Sequence, residues 1–317
     1  MARNIWNTPV EWPGITHRLG YRNSFLLCGS CFADRVGQKL QRVRIPATKN
    51  PCGIAYDPLS LARHAEQALS QTLLHEDALV QHDGLWHSLQ HHGSFSSTSK
   101  SETINNINAG LQTMRRALQT ADVIIFTFGS AWYTELRKDQ QAITNTHKIP
   151  AAEFTKKLAT TNQITDIFLH IIPQIRVQNP NAIFMISVSP VRYLRDGIEG
   201  NMRSKARLIE SAHTICESLQ QVHYFPAYEI VMDELRDYRW YAEDMLHVSQ
   251  IAVDHIWGKF QQGTFDESSL SIMQQIEPLI KFTEHRPIHE TPENYNTKCN
   301  EKEQQIIELI KQLKRQN

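Results

Sequence analysis

The sequence predicts an α/β protein built on one doubly wound parallel sheet, with helices over both faces. Short apolar runs alternate with longer stretches of helical spacing, the pattern of βαβ units. The runs at 122–129 and 182–188 are nearly continuous in apolar residues, as strands buried on both sides must be. Glycine or proline closes several of them, at Gly129, Pro190 and Pro226.

The elements follow in order. Residues 1–24 read as a lead-in broken by Pro9, Pro13 and Gly14. A first strand is expected at 25–28, then a helix to 43 on the spacing Phe32, Val36, Leu40, Val43. A short second strand is expected at 43–47. Asn50 to Pro58 is a punctuated loop in which Asp57 caps a helix that opens on Pro58 and runs to 74. Residues 75–100, rich in His, Ser and Gly, read as an excursion or small hairpin. A helix at 101–119 leads to the third strand, and 133–150 form a second excursion. A helix is expected at 151–177, with Pro173 as a kink. The fourth strand follows, then a helix at 203–220, a fifth strand at 222–226 and a helix at 250–260. Ile306, Ile307, Leu309, Ile310 and Leu313 mark an amphipathic tail helix that packs back or self-associates, packing back being favoured. The expected division is an α/β/α domain at 1–262 and a C-terminal helical extension at 263–317.

Composition bounds the function. Lys+Arg and Asp+Glu are both 33, a formal net charge of zero, which gives no electrostatic footprint for nucleic acid or an anionic membrane surface. Apolar residues make up 41 %, enough for a substantial core. No run approaches the ~18 apolar residues of a membrane span, and the first residues lack the apolar centre of a signal peptide. Cys28, Cys31, Cys52, Cys216 and Cys299 have neither disulfide-like nor zinc-like spacing. The expectation is a cytoplasmic protein with no metal and no cofactor.

Gly29-Ser30-Cys31-Phe32-Ala33 joins the first strand to the first helix. Strand, tight glycine turn and helix form a nucleophile-presenting turn, and thiols at helix N-termini ionise more readily. Far downstream stands Asp244-Met245-Leu246-His247, a carboxylate three residues before a histidine. Together they supply a nucleophile, a base and an orienting acid. The other candidates also follow strands: Gly129-Ser130 the third, Ser189-Pro190-Val191-Arg192 the fourth, which is where open α/β sheets bind ligands.

The pentapeptide at 29–33 resembles the signature of the GSCFA family. The resemblance continues through Asn50-Pro51-Cys52-Gly53-Ile54, Gly129-Ser130-Ala131-Trp132, His147-Lys148-Ile149-Pro150, Ser189-Pro190-Val191-Arg192, Arg203-Ser204-Lys205-Ala206, Tyr224-Phe225-Pro226-Ala227-Tyr228-Glu229, Asp237-Tyr238-Arg239 and Tyr241-Ala242-Glu243-Asp244-Met245-Leu246-His247. It covers about residues 20–262. That family resembles a branch of the SGNH (GDSL-like) hydrolases, which implies a three-layer α/β/α, flavodoxin-like fold.

The resemblance sets the register of the turn. Laid on the Gly-Asp-Ser block, Gly29 matches the glycine and Cys31 the nucleophile, with Ser30 as the alternative if the turn is one residue out. His247 becomes the general base and Asp244 the acid that holds its Nδ1–H; Glu243 is the fallback. The third-block asparagine is missing after Gly129. Oxyanion donors are therefore sought in the Cys31 and Gly53 amides and in Ser130, with Asn145 as a replacement. His92, Asn145 and Arg192 are candidates to touch substrate, and Arg203 and Lys205 to hold an anionic group. His82, His87, His91 and His92 lack metal-ligand spacing and are expected to be solvated.

The function expected is an esterase or acyltransferase with an acyl-cysteine intermediate, acting on a small-molecule or glycan ester. The alternatives are a catalytically weak binding protein and an accessory protein in glycan modification.

Overall fold

The computed structural model describes residues 7–285 and 292–316. A parallel sheet of five strands forms its centre: β1 (Phe25–Gly29), β2 (Ala47–Lys49), β3 (Val123–Phe128), β4 (Ile183–Val188) and β5 (Val222–Phe225). The spatial order is β5-β4-β3-β1-β2, the flavodoxin-like arrangement. β1 pairs with β3 from Phe25↔Val123 to Gly29↔Thr127, and β3 with β4 from Val123↔Ile183 to Phe128↔Val188. The chain first steps from β1 outward to β2, then crosses back to β3 on the other side of β1. The strand order therefore reverses between β1 and β3, and a crevice opens there at the carboxyl ends.

Alternation along each strand sends side chains to two separate cores. Leu26, Cys28, Ile124, Phe126, Phe184 and Ile186 pack under α2 (Pro58–Ser70), α3 (Lys100–Thr120), α4 (Thr161–Gln178) and α5 (Gly197–Ser218). Phe25, Leu27, Val123, Ile125 and Met185 pack under α1 (Cys31–Arg42), α6 (Gln250–Thr264), α7 (Glu267–Glu284) and α8 (Pro292–Gln316). The result is the expected three-layer sandwich. The tail stripe packs back: Ile306, Ile310 and Leu313 are buried in the same cluster as Phe25 and Leu40, and Arg44 pairs with Glu303 at 2.7 Å. The expected boundary at residue 262 falls inside α6.

Several elements differ from the sequence reading for local reasons. The second strand begins at Ala47 because α1 ends in a Schellman motif. Arg44 is left-handed (φ +64°), its N–H reaches Gln41 O, and Ile45 N–H reaches Leu40 O. The helix expected at 151–177 begins only at Thr161. Phe154–Leu158 is instead a strand antiparallel to Trp132–Leu136, and Thr160 and Gln163 form a capping box. Pro173 is carried inside α4. The first excursion contains the hairpin Val80–His82/Leu85–His87.

Of the histidines expected in a solvated loop, His87 and His91 are buried and His82 and His92 are half-buried. His87 and His91 meet His147 of the second excursion and His64 of α2, with His87 stacked on His147 at 4.4 Å and His64 on His91 at 5.4 Å. Each is held by neighbouring oxygens, for example His64 Nε2 by Gln90 O (2.7 Å) and His147 Nε2 by Ser88 O (2.8 Å). Among the described residues, no group of three or more His, Cys, Asp or Glu is placed to hold a metal ion.

Candidate active site

The turn after β1 is fixed by its glycine. Gly29 has φ +147°, and a Cβ there would lie 2.2 Å from Thr127 O of the neighbouring strand. Its N–H donates to Asn50 Oδ1 at 2.8 Å, which ties it to the loop after β2. Ser30, fully buried, then caps α1: its Oγ accepts the Phe32 N–H at 3.2 Å. Cys31 is the first residue of the helix and is partly exposed. Of the two side chains in question, then, the hydroxyl of Ser30 serves the backbone and the sulfur of Cys31 faces outward. The Cys31 N–H donates to no group among the described residues, as expected for the first amide of a helix.

Three loops meet at this point. Tyr56, in the loop after β2, places its Oη 3.7 Å from Cys31 Sγ. Its carbonyl accepts both the Gly129 N–H (2.8 Å) and the Ser130 N–H (2.9 Å) from the loop after β3. Burial, and then the neighbouring Cys31 sulfur, push the Tyr56 phenol up to about 12, so it stays protonated and able to donate at neutral pH. Tyr193 stands edge-on to Tyr56, with ring centroids 5.6 Å apart. Lys205 lies beneath. It is buried, and its Nζ donates to Gly129 O (2.8 Å) and Ser189 O (2.6 Å), which joins the loops after β3 and β4. Burial pulls its pKa down to about 7. Lys205 is therefore a brace within the protein rather than a group offered to an anionic ligand; Arg203 is exposed.

The histidine arrives from the loop before α6. Asp244 is ionised and only accepts, so His247 donates Nδ1–H to its Oδ2, at 2.6 Å. The other carboxylate oxygen accepts the Leu246 and His247 N–H groups at 2.9 and 3.0 Å. The bond from the imidazole, then those two amides, hold the Asp244 carboxyl down at about 2. Both side chains are roughly half exposed. This loop is tied to the loop after β4 by Arg192, whose N–H reaches Leu246 O (3.0 Å) and whose Nη1 reaches Met245 O (3.1 Å).

Cys31 and His247 line one narrow cleft, together with Phe32, Arg35, Val191, Val248 and Val253. Its volume is about 10 Å³, close to that of one water position. The imidazole makes no hydrogen bond to the sulfur. Fixing Nδ1–H on Asp244 leaves Nε2 as the ring's acceptor.

The remaining candidates are placed as follows. The Gly53 N–H donates to Asn50 O at 2.8 Å and the Ser130 N–H to Tyr56 O, so both amides are committed within the protein. Ser130 Oγ accepts the Trp132 N–H (3.1 Å) and lies 3.3 Å from Ser204 Oγ. His92 caps the turn Gly93–Phe95, Asn145 Oδ1 accepts the His147 N–H, and both belong to the histidine-rich region beside Gly53. Tyr56 is the group that sequence reasoning missed. It lies in the punctuated loop 50–58, and nothing in a Tyr before a helix cap marks its hydroxyl as reaching a thiol from another loop. The cysteines also sort themselves: Cys28, Cys52 and Cys216 have thiols pushed up by burial, the latter two to about 12.

No curated protein sequence matches this chain. Among solved structures, it is similar to one described as a proposed platelet activating factor from Streptococcus pneumoniae (13 % identity, 75 % of this chain and 83 % of that one, TM-score 0.39). It is also similar to a family 3 carbohydrate esterase from Clostridium thermocellum (11 % identity, 80 % and 98 %, TM-score 0.35). An acetyl xylan esterase, Est2A, from Butyrivibrio proteoclasticus is similar too (10 % identity, 65 % and 55 %, TM-score 0.33). The model of the GSCFA family matches residues 24–260, which contain β1 to β5, the Cys31 turn and the Asp244–His247 loop, and the chain belongs to that family.

Proposed function

We propose that this protein is an SGNH-like esterase or acyltransferase that works through an acyl group on Cys31. The observation that carries the reading is the shared cleft: a cysteine at the open N-terminus of α1 and a histidine buttressed by Asp244 line it together. In the reaction proposed, His247 Nε2 takes the proton from Cys31 Sγ, and the sulfur bonds to the ester carbonyl carbon. The carbonyl π pair moves to oxygen, where the Cys31 N–H and the Tyr56 O–H are the donors at hand. Collapse breaks the C–O bond to the alcohol, which leaves with the proton from His247. Water or a hydroxyl acceptor, deprotonated by His247, then attacks the thioester and restores the thiol.

A weaker catalyst or a binding protein is the second reading, favoured by the commitment of the Gly53 and Ser130 amides to Asn50 and Tyr56. Each absent oxyanion donor costs about 2.7–4 kcal/mol of transition-state stabilisation. A panel of p-nitrophenyl esters, with acyl adducts mapped by mass spectrometry, separates the two. The enzyme reading expects release of nitrophenol, an adduct on Cys31, and loss of both in Cys31→Ala and His247→Ala. Binding without adduct or turnover supports the second reading.

A further inference from the structure

A second cavity is lined by Arg192, the chain neighbour of Val191 in the cleft. Its volume is about 300 Å³, within the range of small-ligand pockets. Ile198 and Met202 of α5, Val231 and Met232 of the segment after β5, and the rings of Tyr238 and Tyr241 supply most of its wall. The polar atoms among them are weakly engaged: Tyr241 Oη bonds the Met232 sulfur at 3.5 Å and, on the same wall, Tyr228 Oη bonds the Met202 sulfur at 3.6 Å. Of the charged wall residues, Arg236 and Asp237 are each paired, with Asp233 and Arg239, and Arg192 donates to Met245 O. Ile198, Met202 and Tyr238 remain 65 %, 48 % and 66 % exposed, a cluster of large apolar groups that a folded chain normally covers.

The cavity and the cleft share one strap of backbone. Val191 lines the cleft beside Cys31 and His247, and its neighbour Arg192 lines the cavity. The Arg192 guanidinium lies over the Tyr238 and Tyr241 rings at 5.5 and 5.3 Å, and the same residue holds the carbonyls of Met245 and Leu246, next to His247.

We infer that this cavity is the acyl-chain subsite, and that the substrate class is esters of unbranched medium-length aliphatic acids. This rests on the assignment of Cys31 as nucleophile. An acyl carbon on Cys31 Sγ would send its chain past Val191 into the space between α5 and the tyrosines. The apolar groups that dominate the wall favour methylenes over sugar hydroxyls. Each methylene buried there raises kcat/KM roughly fourfold until the cavity is full.

Two measurements test the inference and separate it from the catalytic assignment. The first is kcat/KM for p-nitrophenyl acetate, butyrate and octanoate with the wild-type chain and with Met202→Trp and Ile198→Trp, each checked for a native melting transition. The expected result is a rise with chain length, and a fall in the octanoate-to-acetate ratio of about tenfold or more in the filled variants. The second is calorimetric titration of octanoate into Cys31→Ala, with and without Met202→Trp. Saturable binding weakened by Met202→Trp supports the subsite, even where no ester is turned over and the nucleophile assignment falls. Ester turnover independent of chain length, with no octanoate binding, overturns the subsite and leaves the nucleophile standing.

Discussion

Gly29 is the residue on which the site geometry turns. The carbonyl of Thr127 occupies the space of any Cβ, and φ is one that L side chains rarely adopt. Gly29→Ala is expected to lower stability by more than about 2 kcal/mol in denaturant titration, whatever its effect on activity. In the mechanism proposed, Asp244 acts through its bond to the imidazole. The imidazole and two backbone amides hold its carboxyl down at about 2, so it is charged throughout the neutral range and adds no pH dependence there. Asp244→Asn should lower kcat by up to about 10⁴-fold while leaving melting nearly unchanged, because the carboxylate is half exposed. Tyr56→Phe should lower kcat by about 100-fold if the phenol serves the oxyanion. The Gly-Ser-Cys turn and the Asp-x-x-His pair were legible because their chemistry is local: a strained turn and a three-residue carboxylate–imidazole spacing. Tyr56 was not, because its hydroxyl reaches Cys31 only after two strands pair and two loops close together.

At the scale of elements, the histidine cluster ties the two excursions to α2. Burial first, and for His91 the neighbouring His64, Arg63 and His147 charges, pull His64 down to about 4 and His91 to about 3. Both are lowered from an unfolded value near 6.5, so the unfolded chain binds more protons between those limits. The stability linked to their neutral forms is complete above pH 6.5 and is lost as pH falls toward 3–4, on the order of 3 kcal/mol for His64 and 5 kcal/mol for His91. Melting temperature should therefore drop steeply from pH 6.5 to 4, and His91→Phe should flatten that slope; an unchanged slope would contradict this. The burial of these side chains was illegible because their spacing is irregular and their partners, Gln90 O for His64, Ser88 O for His147, Ser88 Oγ for His91 and Ser96 Oγ for His87, meet them only once the loops fold together. The strand Phe154–Leu158 was missed for a related reason: its partner, Trp132–Leu136, lies beyond a long loop. The Thr160–Gln163 capping box marks the helix start ten residues after the expected one.

Over the whole molecule, the sheet order brings the ends of β1 and β3 together, and the loops after β2, β4 and β5 close around them. Near-continuous apolar strands announced a sheet covered on both faces, and that reading holds because each strand alternates between the two cores. The tail helix was legible as an amphipathic stripe, but not its destination. Deleting the chain after Thr264 would uncover Phe25, Leu40 and Ile45, which now share a core with Ile276, Ile306 and Ile310. The truncated chain is expected to aggregate or to melt well below the full one in a thermal scan.

The central claim is that Cys31 is an accessible sulfur activated by His247. It is tested most directly by timing iodoacetamide alkylation of all five cysteines at neutral pH, by peptide mass spectrometry, in the wild-type chain and in His247→Ala. The account predicts that Cys31 reacts first by a wide margin and slows markedly in the variant. Reaction of Cys31 no faster than Cys299, or at the same rate with and without the imidazole, would contradict it.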